Sequence, residues 1–522
     1  MSDNLYLTGF MGAGKSSAGL SLARLLRRRF VDLDDLVARR LGMDIPTAFA
    51  QLGEAAFRRA EAAELARVSR LERRVVATGG GLPVDPANRQ LMRDTGRILC
   101  LDSSLEGCRQ RLGQEGTAGR PLWRDAAALE RLFDSRRQVY ADRDAAVAVD
   151  GLSQLQVLEA LAAAVLGGET FSVSLGGQVC PVEATTQGPQ ALAPLLKGRR
   201  VALITDRNLA RLHLPRYLPA LADALVLTLA PGEGSKSLAK AQGLYQALLG
   251  ARLERGDLVV ALGGGVVSDL AGFVASTYKR GVDFAIVSTS LVGAVDAAIG
   301  GKTGVNLSQG KNVVGTFAQP AKVVLDLLAL ATLPRAQVAE GLVEAYKTGL
   351  VASPELFDLV RAHLPALMAG DLPLLARVAS LSGRAKASVV SADYREKGLR
   401  RILNLGHTYG HALESFHRYR LSHGRAVAAG MMVAAALSAG RGLIPAELAG
   451  RVGQDMARLL GAGVAWPGAD EAWKIMLNDK KNQGGRVLFV LLAGVGQPVC
   501  VEDVTPAELA AALAATQDYR HG

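Results

Sequence analysis

Eight residues near the beginning of this chain, Gly9-Phe10-Met11-Gly12-Ala13-Gly14-Lys15-Ser16, constrain its fold more tightly than any other stretch. They follow the pattern G-x-x-x-x-G-K-[ST], in which glycines let backbone N–H groups curl around phosphate, a lysine reaches the terminal phosphates and a hydroxyl meets Mg2+. Such a loop works only between a strand and the N-terminus of a helix, where free N–H groups and the helix dipole favour an anion. The apolar run at 5–7 supplies the strand, and a segment of helical period follows. Further apolar runs at 75–77, 98–101 and 145–149 alternate with helical segments rich in Ala, Leu and Arg. The pattern predicts a parallel sheet with helices on both faces. Gly12, Ala13, Gly14, Lys15, Ser16 and Ser17 become the candidate nucleotide-phosphate ligands. Lysine usage sharpens this: Lys15 is the only lysine in the first 168 residues, against 23 arginines. A compact ammonium stands at the one place where a phosphate is expected.

At 522 residues the chain exceeds one ordinary domain. The turn-like join Gly167-Gly168-Glu169-Thr170 divides it into expected domains 1–168 and 169–522. A second α/β alternation runs through 169–332, and 333–522 reads as mainly helical, interrupted by a hairpin-like pair near Val487. The net charge of +11 is spread, with 24 basic against 21 acidic residues up to Gly168 and 36 against 28 after it. That distribution fits anionic small substrates and excludes a basic nucleic-acid arm. Four cysteines without a Cys-x-x-Cys pair fit a reducing compartment, and the opening MSDNLYLTGF lacks a basic-then-apolar leader, so a cytoplasmic location is expected. The charge-free run at 426–440 is 15 residues long, short of the roughly 18 that a membrane span needs.

Val31-Asp32-Leu33-Asp34-Asp35 ends a predicted strand and begins a helix, which would put Asp32 and Asp34 on one side of an extended segment. Asp32 is then a candidate to hold Mg2+ with Ser16, and Asp34 to orient or deprotonate an acceptor hydroxyl. Taken alone, an Asp cluster reads more often as a helix N-cap. Phe57-Arg58-Arg59, Thr78-Gly79-Gly80-Gly81, Gly119-Arg120-Pro121-Leu122 and Arg136 complete a set that resembles the shikimate kinase family across nearly all of residues 1–166. The resemblance implies Asp34, Arg58, Gly80 and Arg136 around shikimate, Arg120 on a lid over the ATP phosphates, and Lys15, Asp34 and Arg120 as catalytic groups. Two guanidinium groups suit a small carboxylic acid, and a lid excludes water from the transferring phosphoryl group.

In the second half, Gly263-Gly264-Gly265-Val266-Val267-Ser268-Asp269 follows an apolar strand at 258–262, a setting that suits a dinucleotide pyrophosphate. Asp206 closes an earlier strand, and Glu233 and Lys236 share a tight loop. Four of seven histidines, His407, His411, His417 and His423, fall within 17 residues. His407 and His411, at i and i+4, read from spacing alone as a zinc-ligand pair. The surrounding motifs are Asp296-Ala297-Ala298-Ile299-Gly300-Gly301-Lys302, Gly310-Lys311-Asn312, Thr332-Leu333-Pro334, Glu340-Gly341-Leu342-Val343-Glu344-Ala345-Tyr346-Lys347 and Lys386. They resemble the 3-dehydroquinate synthase family over essentially all of 170–515.

This second resemblance implies that Glu344, His407 and His423 hold zinc, or cobalt, and that His411 serves the substrate phosphate instead. It implies NAD+ held by Asp206, Glu233, Lys236, Gly264, Gly265, Val266, Asp269, Thr289, Ser290 and Lys311. It implies substrate contacts from Asp296, Lys302, Lys347, Lys386, Arg400, Asn404, His411 and either Lys480 or Lys481, with Arg280 reaching a neighbouring subunit's site. Lys302, Lys347, Arg400, Asn404 and His411 count among the catalytic groups. The sequence departs from the family pattern at Asp393-Tyr394, where Asp-Glu is usual, and at Asp296-Ala297-Ala298 in place of Asp-Ser-Ser. Together the two resemblances imply a bifunctional enzyme of chorismate biosynthesis that uses ATP with Mg2+, NAD+ and a divalent metal, acts on small molecules and forms a homodimer through its second domain. The rival reading is another sugar-phosphate cyclase joined to a non-catalytic ATP-binding module.

Overall fold

A computed structural model describes residues 3–118, 125–307, 310–478 and 487–520. Arg120, Lys480 and Lys481 lie outside the described residues. The chain divides into two compact units, Met1–Gly167 and Gly168–Gly522.

Unit 1 is built on strands β1 (Asn4–Thr8), β2 (Arg29–Asp32), β3 (Arg74–Ala77), β4 (Gly96–Asp102) and β5 (Ala145–Ala148), all parallel, in the order β2-β3-β1-β4-β5. Every residue of the central strand β1 is buried, as a strand covered on both faces must be. Tyr6 packs with Leu65, Val68, Val76, Met92 and Ile98 in one core cluster. β1 runs directly into the phosphate-binding loop and then the helix Lys15–Leu25. Gly9 sits there at φ +135°, and a side chain on it would press within 2.6 Å of the Leu101 carbonyl oxygen, so only glycine lets the loop leave the sheet this closely. Asp32 ends β2 and caps the helix Leu33–Leu41. Asp34 therefore lies in the first turn of a helix and not on the extended segment expected from sequence, because the cap turns the chain one residue earlier.

Unit 2 holds a seven-stranded sheet of β6 (Glu169–Leu175), β7 (Gln178–Thr185), β8 (Val201–Asp206), β9 (Leu225–Leu229), β10 (Leu258–Gly263), β11 (Asp283–Ser288) and β14 (Lys322–Asp326), with the hairpin β12 (Lys302–Leu307) and β13 (Gly310–Phe317) inserted before the last. The order is β6-β7-β14-β11-β10-β8-β9, parallel except for the edge strand β6. β8 has β9 on one side and β10 on the other, so the chain reverses direction across the sheet there. In open α/β sheets the crevice at that reversal, beyond the carboxyl ends of the strands, is where ligands bind. Thr205 pairs with Leu262, which brings Asp206 and Gly263 to adjacent strand ends. After β14 the only strands among the described residues are the hairpin β15 (Phe489–Leu492) and β16 (Pro498–Val501), and the rest is mainly helical. The helices that carry chemistry are Arg335–Ala352, Leu372–Ala392, His407–Phe416 and His423–Gly440. The charge-free run at 426–440 lies in the last of these, which is buried over most of its length. Among the described residues no helix is long and apolar enough to cross a membrane.

Candidate active sites

Unit 1 places its lone lysine at the phosphate-binding loop. Lys15 Nζ donates to the carbonyls of Gly9 at 2.9 Å and Phe10 at 3.1 Å. Burial lowers its pKa, opposed chiefly by Asp34. Ser16 Oγ donates to Asp32 Oδ2 at 2.6 Å, and Asp32 Oδ1 accepts from the Asp34 N–H at 3.1 Å. One carboxylate thus caps a helix with one oxygen and meets the loop hydroxyl with the other.

The turn Gly79-Gly80-Gly81 stands against the residues expected to hold the acceptor. A Cβ on Gly79 would lie 2.7 Å from Asp34 Oδ1, one on Gly80 3.3 Å from Arg136 Nη1, and one on Gly81 would collide with the Arg58 guanidinium. Arg58 pairs with Glu61 and, at 3.2 Å, with Glu54. Glu61 is buried, which raises its pKa against the pull of Arg58. Tyr140 Oη donates to the Gly80 carbonyl at 2.6 Å. Sequence reasoning passed over Glu61 and Tyr140. The i, i+3 spacing of Arg58 and Glu61 was the available signal for the first, and Tyr140, four residues after Arg136, offered the same kind of signal for the second.

In unit 2, Glu344 on Arg335–Ala352, His407 at the start of its helix and His423 at the start of the next bring ligand-type atoms within 4.8 Å of one another. His423 Nε2 lies 3.5 Å from Glu344 Oε1. Both Glu344 oxygens are buried, and Oε2 pairs with Lys347 Nζ at 2.5 Å. A buried carboxylate so placed between two imidazoles fits a divalent cation. Burial works to raise the Glu344 carboxyl, but Lys347 and the two histidines hold it well below its ordinary value. Burial and Lys347 keep the His407 ring neutral, the form that binds metal, whereas Glu344 and Glu414 overcome burial and raise His423 to about 10. The His411 ring centroid is 5.4 Å from that of His407 and 6.2 Å from that of His423.

A ring of charged groups adjoins this cluster. Lys386 donates to the Asp296 carbonyl at 2.5 Å and pairs with its carboxylate. Lys302 pairs with Glu396, which also accepts from Asn404 Nδ2 at 2.8 Å. Arg400 donates to the carbonyls of Gly300 at 3.2 Å and Tyr394 at 2.8 Å. Beyond the strand ends, Gly264 precedes the helix Gly265–Thr277 with no side-chain cap, leaving its first N–H groups to an anion. Val266 lies in that first turn. The Thr289 N–H donates to the Gly263 carbonyl at 3.1 Å, and Ser290 Oγ accepts from the Gly293 N–H at 3.1 Å. Lys236 pairs with Asp269 and donates to Asn312, while Glu233 accepts from Asn306 at 2.7 Å. Asp206 accepts from the N–H groups of Asn208 and Leu209 at its strand end. Arg280 is exposed on a left-handed turn, Lys279 at φ +47° and Arg280 at +66°.

Residues 226–340 match the family described as 3-dehydroquinate synthase N-terminal, and 341–482 match 3-dehydroquinate synthase C-terminal. The 3-dehydroquinate synthase of Rhodopseudomonas palustris is 42% identical over 357 residues, which cover 65% of this chain and 92% of that one. The chain belongs to the 3-dehydroquinate synthase family. Ahead of the synthase it carries a shikimate kinase domain, matched over residues 11–165. The synthase of Rhizobium meliloti is also 42% identical, over 335 residues covering 61% of this chain and 88% of its own. Among solved structures, the 2-epi-5-epi-valiolone synthase ValA of Streptomyces hygroscopicus, with NAD+ and Zn2+ bound, superposes with a TM-score of 0.61 at 29% identity, covering 66% of this chain and 98% of that one. Within the synthase unit, sequence reasoning missed two buried or half-buried acids. Glu396 sits at φ +57° between Lys302 and Asn404, and Glu414 joins Lys311 to His423.

Proposed function

We propose that the chain performs two reactions of the shikimate pathway at separate sites. Unit 2 converts 3-deoxy-D-arabino-heptulosonate 7-phosphate into 3-dehydroquinate and phosphate, and unit 1 phosphorylates shikimate with ATP and Mg2+. The observation that carries the synthase reading is the buried Glu344 carboxylate grouped with His407 and His423 beside the Lys386–Asp296 pair.

Bound in unit 2, NAD+ supplies a reversible hydride acceptor and Zn2+ a Lewis acid for adjacent hydroxyls. Gly264, Gly265 and Val266 offer helix N–H groups to the pyrophosphate, Asp206 takes ribose hydroxyls, and Glu233, Lys236, Asp269, Thr289, Ser290 and Lys311 hold the remainder. Glu344, His407 and His423 are the metal ligands. Lys302, Lys386, Arg400 and Asn404 fix the substrate's carboxylate and phosphate, Asp296 meets a hydroxyl, and Lys347 and His411 lie where charge changes during elimination. In unit 1, Lys15 turns from the Gly9 and Phe10 carbonyls to the ATP phosphates, Ser16 and Asp32 hold Mg2+, Asp34 accepts the acceptor's hydroxyl proton, and Arg58 and Arg136 clamp the carboxylate. The family resemblance assigns Arg120 to the ATP phosphates and one of Lys480 and Lys481 to the synthase substrate. The assembly is a homodimer through unit 2, with the exposed Arg280 turn as the element that would meet a partner's site. Three buried free thiols and one exposed support work in the reducing cytoplasm. Assaying the purified chain for each reaction tests the proposal: 3-dehydroquinate formation dependent on NAD+ and metal, and ADP release dependent on shikimate. Absence of either activity removes the corresponding half.

A further inference from the structure

Glu414 is the only acid of the helix His407–Phe416 and stands two turns after His407, on the face that also carries His411. It is buried, and both of its oxygens are engaged. Oε1 accepts from Lys311 Nζ at 2.9 Å, and Oε2 lies 3.4 Å from His423 Nδ1. The opposite nitrogen of the same ring, Nε2, faces Glu344 Oε1 at 3.5 Å. His407 is held in the same manner, with Nδ1 3.2 Å from the Leu405 carbonyl.

His423 thus belongs to two overlapping groups of ligand-type atoms, Glu344–His407–His423 and His411–Glu414–His423. The first would use Nε2 of His423, and the second would need Nδ1, which faces Glu414. The two carboxylates each face an ammonium and one nitrogen of the His423 ring, Glu414 with Lys311 and Nδ1, Glu344 with Lys347 and Nε2. They differ in their third neighbour: Glu344 is grouped with His407, whose Nδ1 is taken by the Leu405 carbonyl, and Glu414 with His411.

We propose that Glu414 is a positioning residue: it holds His423 through Nδ1–H, so that Nε2 is presented to the metal, and is not itself a ligand. This rests on reading Glu344, His407 and His423 as the metal site. A carboxylate behind a ligating imidazole fixes the tautomer and the ring orientation and raises the basicity of the far nitrogen, and its loss typically costs about 10- to 100-fold in metal affinity. Lys311, on β13, keeps the carboxylate ionised and in place, so the hairpin β12–β13 is tied to the ligand set through one side chain.

The test measures zinc affinity of the full-length chain by competition with a chromogenic chelator, and the visible spectrum of the cobalt-loaded protein. Glu414→Ala is expected to weaken zinc binding by about 10- to 100-fold while leaving the cobalt bands in place. Glu414→Gln, which keeps an acceptor and loses the charge, should fall between Glu414→Ala and the parent, and it decides the matter if the alanine variant does not fold. Zinc affinity within about twofold of the parent in both variants overturns the proposal, since that range lies below the loss typical of such partners. Loss of the cobalt spectrum in Glu414→Ala and His411→Ala alike makes Glu414 a ligand and overturns it as well. Glu344→Gln and His407→Ala serve as the control. If these too bind zinc like the parent, the metal-site reading itself falls; if they lose zinc while the Glu414 variants keep it, only the positioning role falls.

Discussion

Replacing Gly79 by Ala adds one methyl group to the acceptor side of unit 1 and little else. Gly79 is absent from the positive-φ glycines, so alanine can adopt its backbone without strain, and the effect comes from the new Cβ alone. That atom would stand 2.7 Å from Asp34 Oδ1 and closer still to Glu61, both below van der Waals contact. Restoring a normal separation moves the Asp34 carboxylate by roughly 0.7 Å, and displacements near 1 Å at reacting groups cost on the order of 100-fold in rate. Small-to-large changes in packed sites cost about 1–3 kcal/mol, a consistent range. We expect kcat/KM for shikimate to fall roughly 10- to 100-fold, equivalent to about 1.4–2.7 kcal/mol of transition-state stabilisation. Gly80→Ala should do less, since the nearest atom its Cβ meets is the end of the Arg136 side chain at 3.3 Å, with Met11 N and Tyr140 Oη at an ordinary 3.6 Å. The assay couples ADP release to NADH oxidation with shikimate varied, and 3-dehydroquinate formation by the same preparation reports on unit 2. Activity of Gly79→Ala within twofold of the parent, or a larger loss in Gly80→Ala, would refute the convergence of Asp34, Glu61 and this turn on the substrate.

Lys15→Ala should abolish shikimate phosphorylation and leave 3-dehydroquinate formation near the parent level; equal loss of both in a folded variant contradicts two separate sites. His423→Ala should lose bound zinc by elemental analysis while His411→Ala retains it, and the reverse outcome makes the i, i+4 pair His407 and His411 the ligand set. Burial would raise the Asp150 carboxyl, but hydrogen bonds from Ser104, Ser103 and Arg111 outweigh it and hold it well below the ordinary value of 3.8. A carboxyl depressed by folding stabilises above its unfolded pKa and loses that contribution as pH falls. Asp150→Asn should therefore lower the urea midpoint of unit 1 at pH 7, with the gap to the parent narrowing only below about pH 4; a gap that widens on acidification contradicts the sign.

What the sequence revealed follows from how local each signal is. The phosphate-binding loop was legible because strand, glycines, lysine and hydroxyl are consecutive in the chain. The sequence admits Asp32 as a metal residue or a helix cap; the structure shows the cap on one oxygen, and the other accepts from the Ser16 hydroxyl. The capping geometry in turn moved Asp34 off the expected strand and into a helix. Among the histidines, periodicity pointed to His407 and His411. The grouping around the buried Glu344 needs His423 from the following helix and an acid 63 residues before His407, a meeting that no helical spacing encodes. Glu396 was missed for a related reason: its partner Lys302 lies 94 residues away, and it sits on a left-handed turn without periodic pattern.

The arginine-rich surface of unit 1 has a chemical corollary. Free amines attack acyl phosphates, anhydrides and aldehydes, whereas guanidinium groups stay protonated at neutral pH and lack that lone pair. Thirteen of the chain's 14 lysines follow Gly168, so such a reagent finds one side-chain target in the first 168 residues, and that target is Lys15. Its lowered pKa enlarges the share of free amine, and its half-buried place at the loop leaves that amine within a reagent's reach. Lysine acylation of this unit therefore cannot be a diffuse surface event: each acyl-lysine within residues 1–168 is one blocked nucleotide loop, and its mole ratio to chain, counted apart from the lysines after Gly168, reads out as the fraction of kinase sites closed.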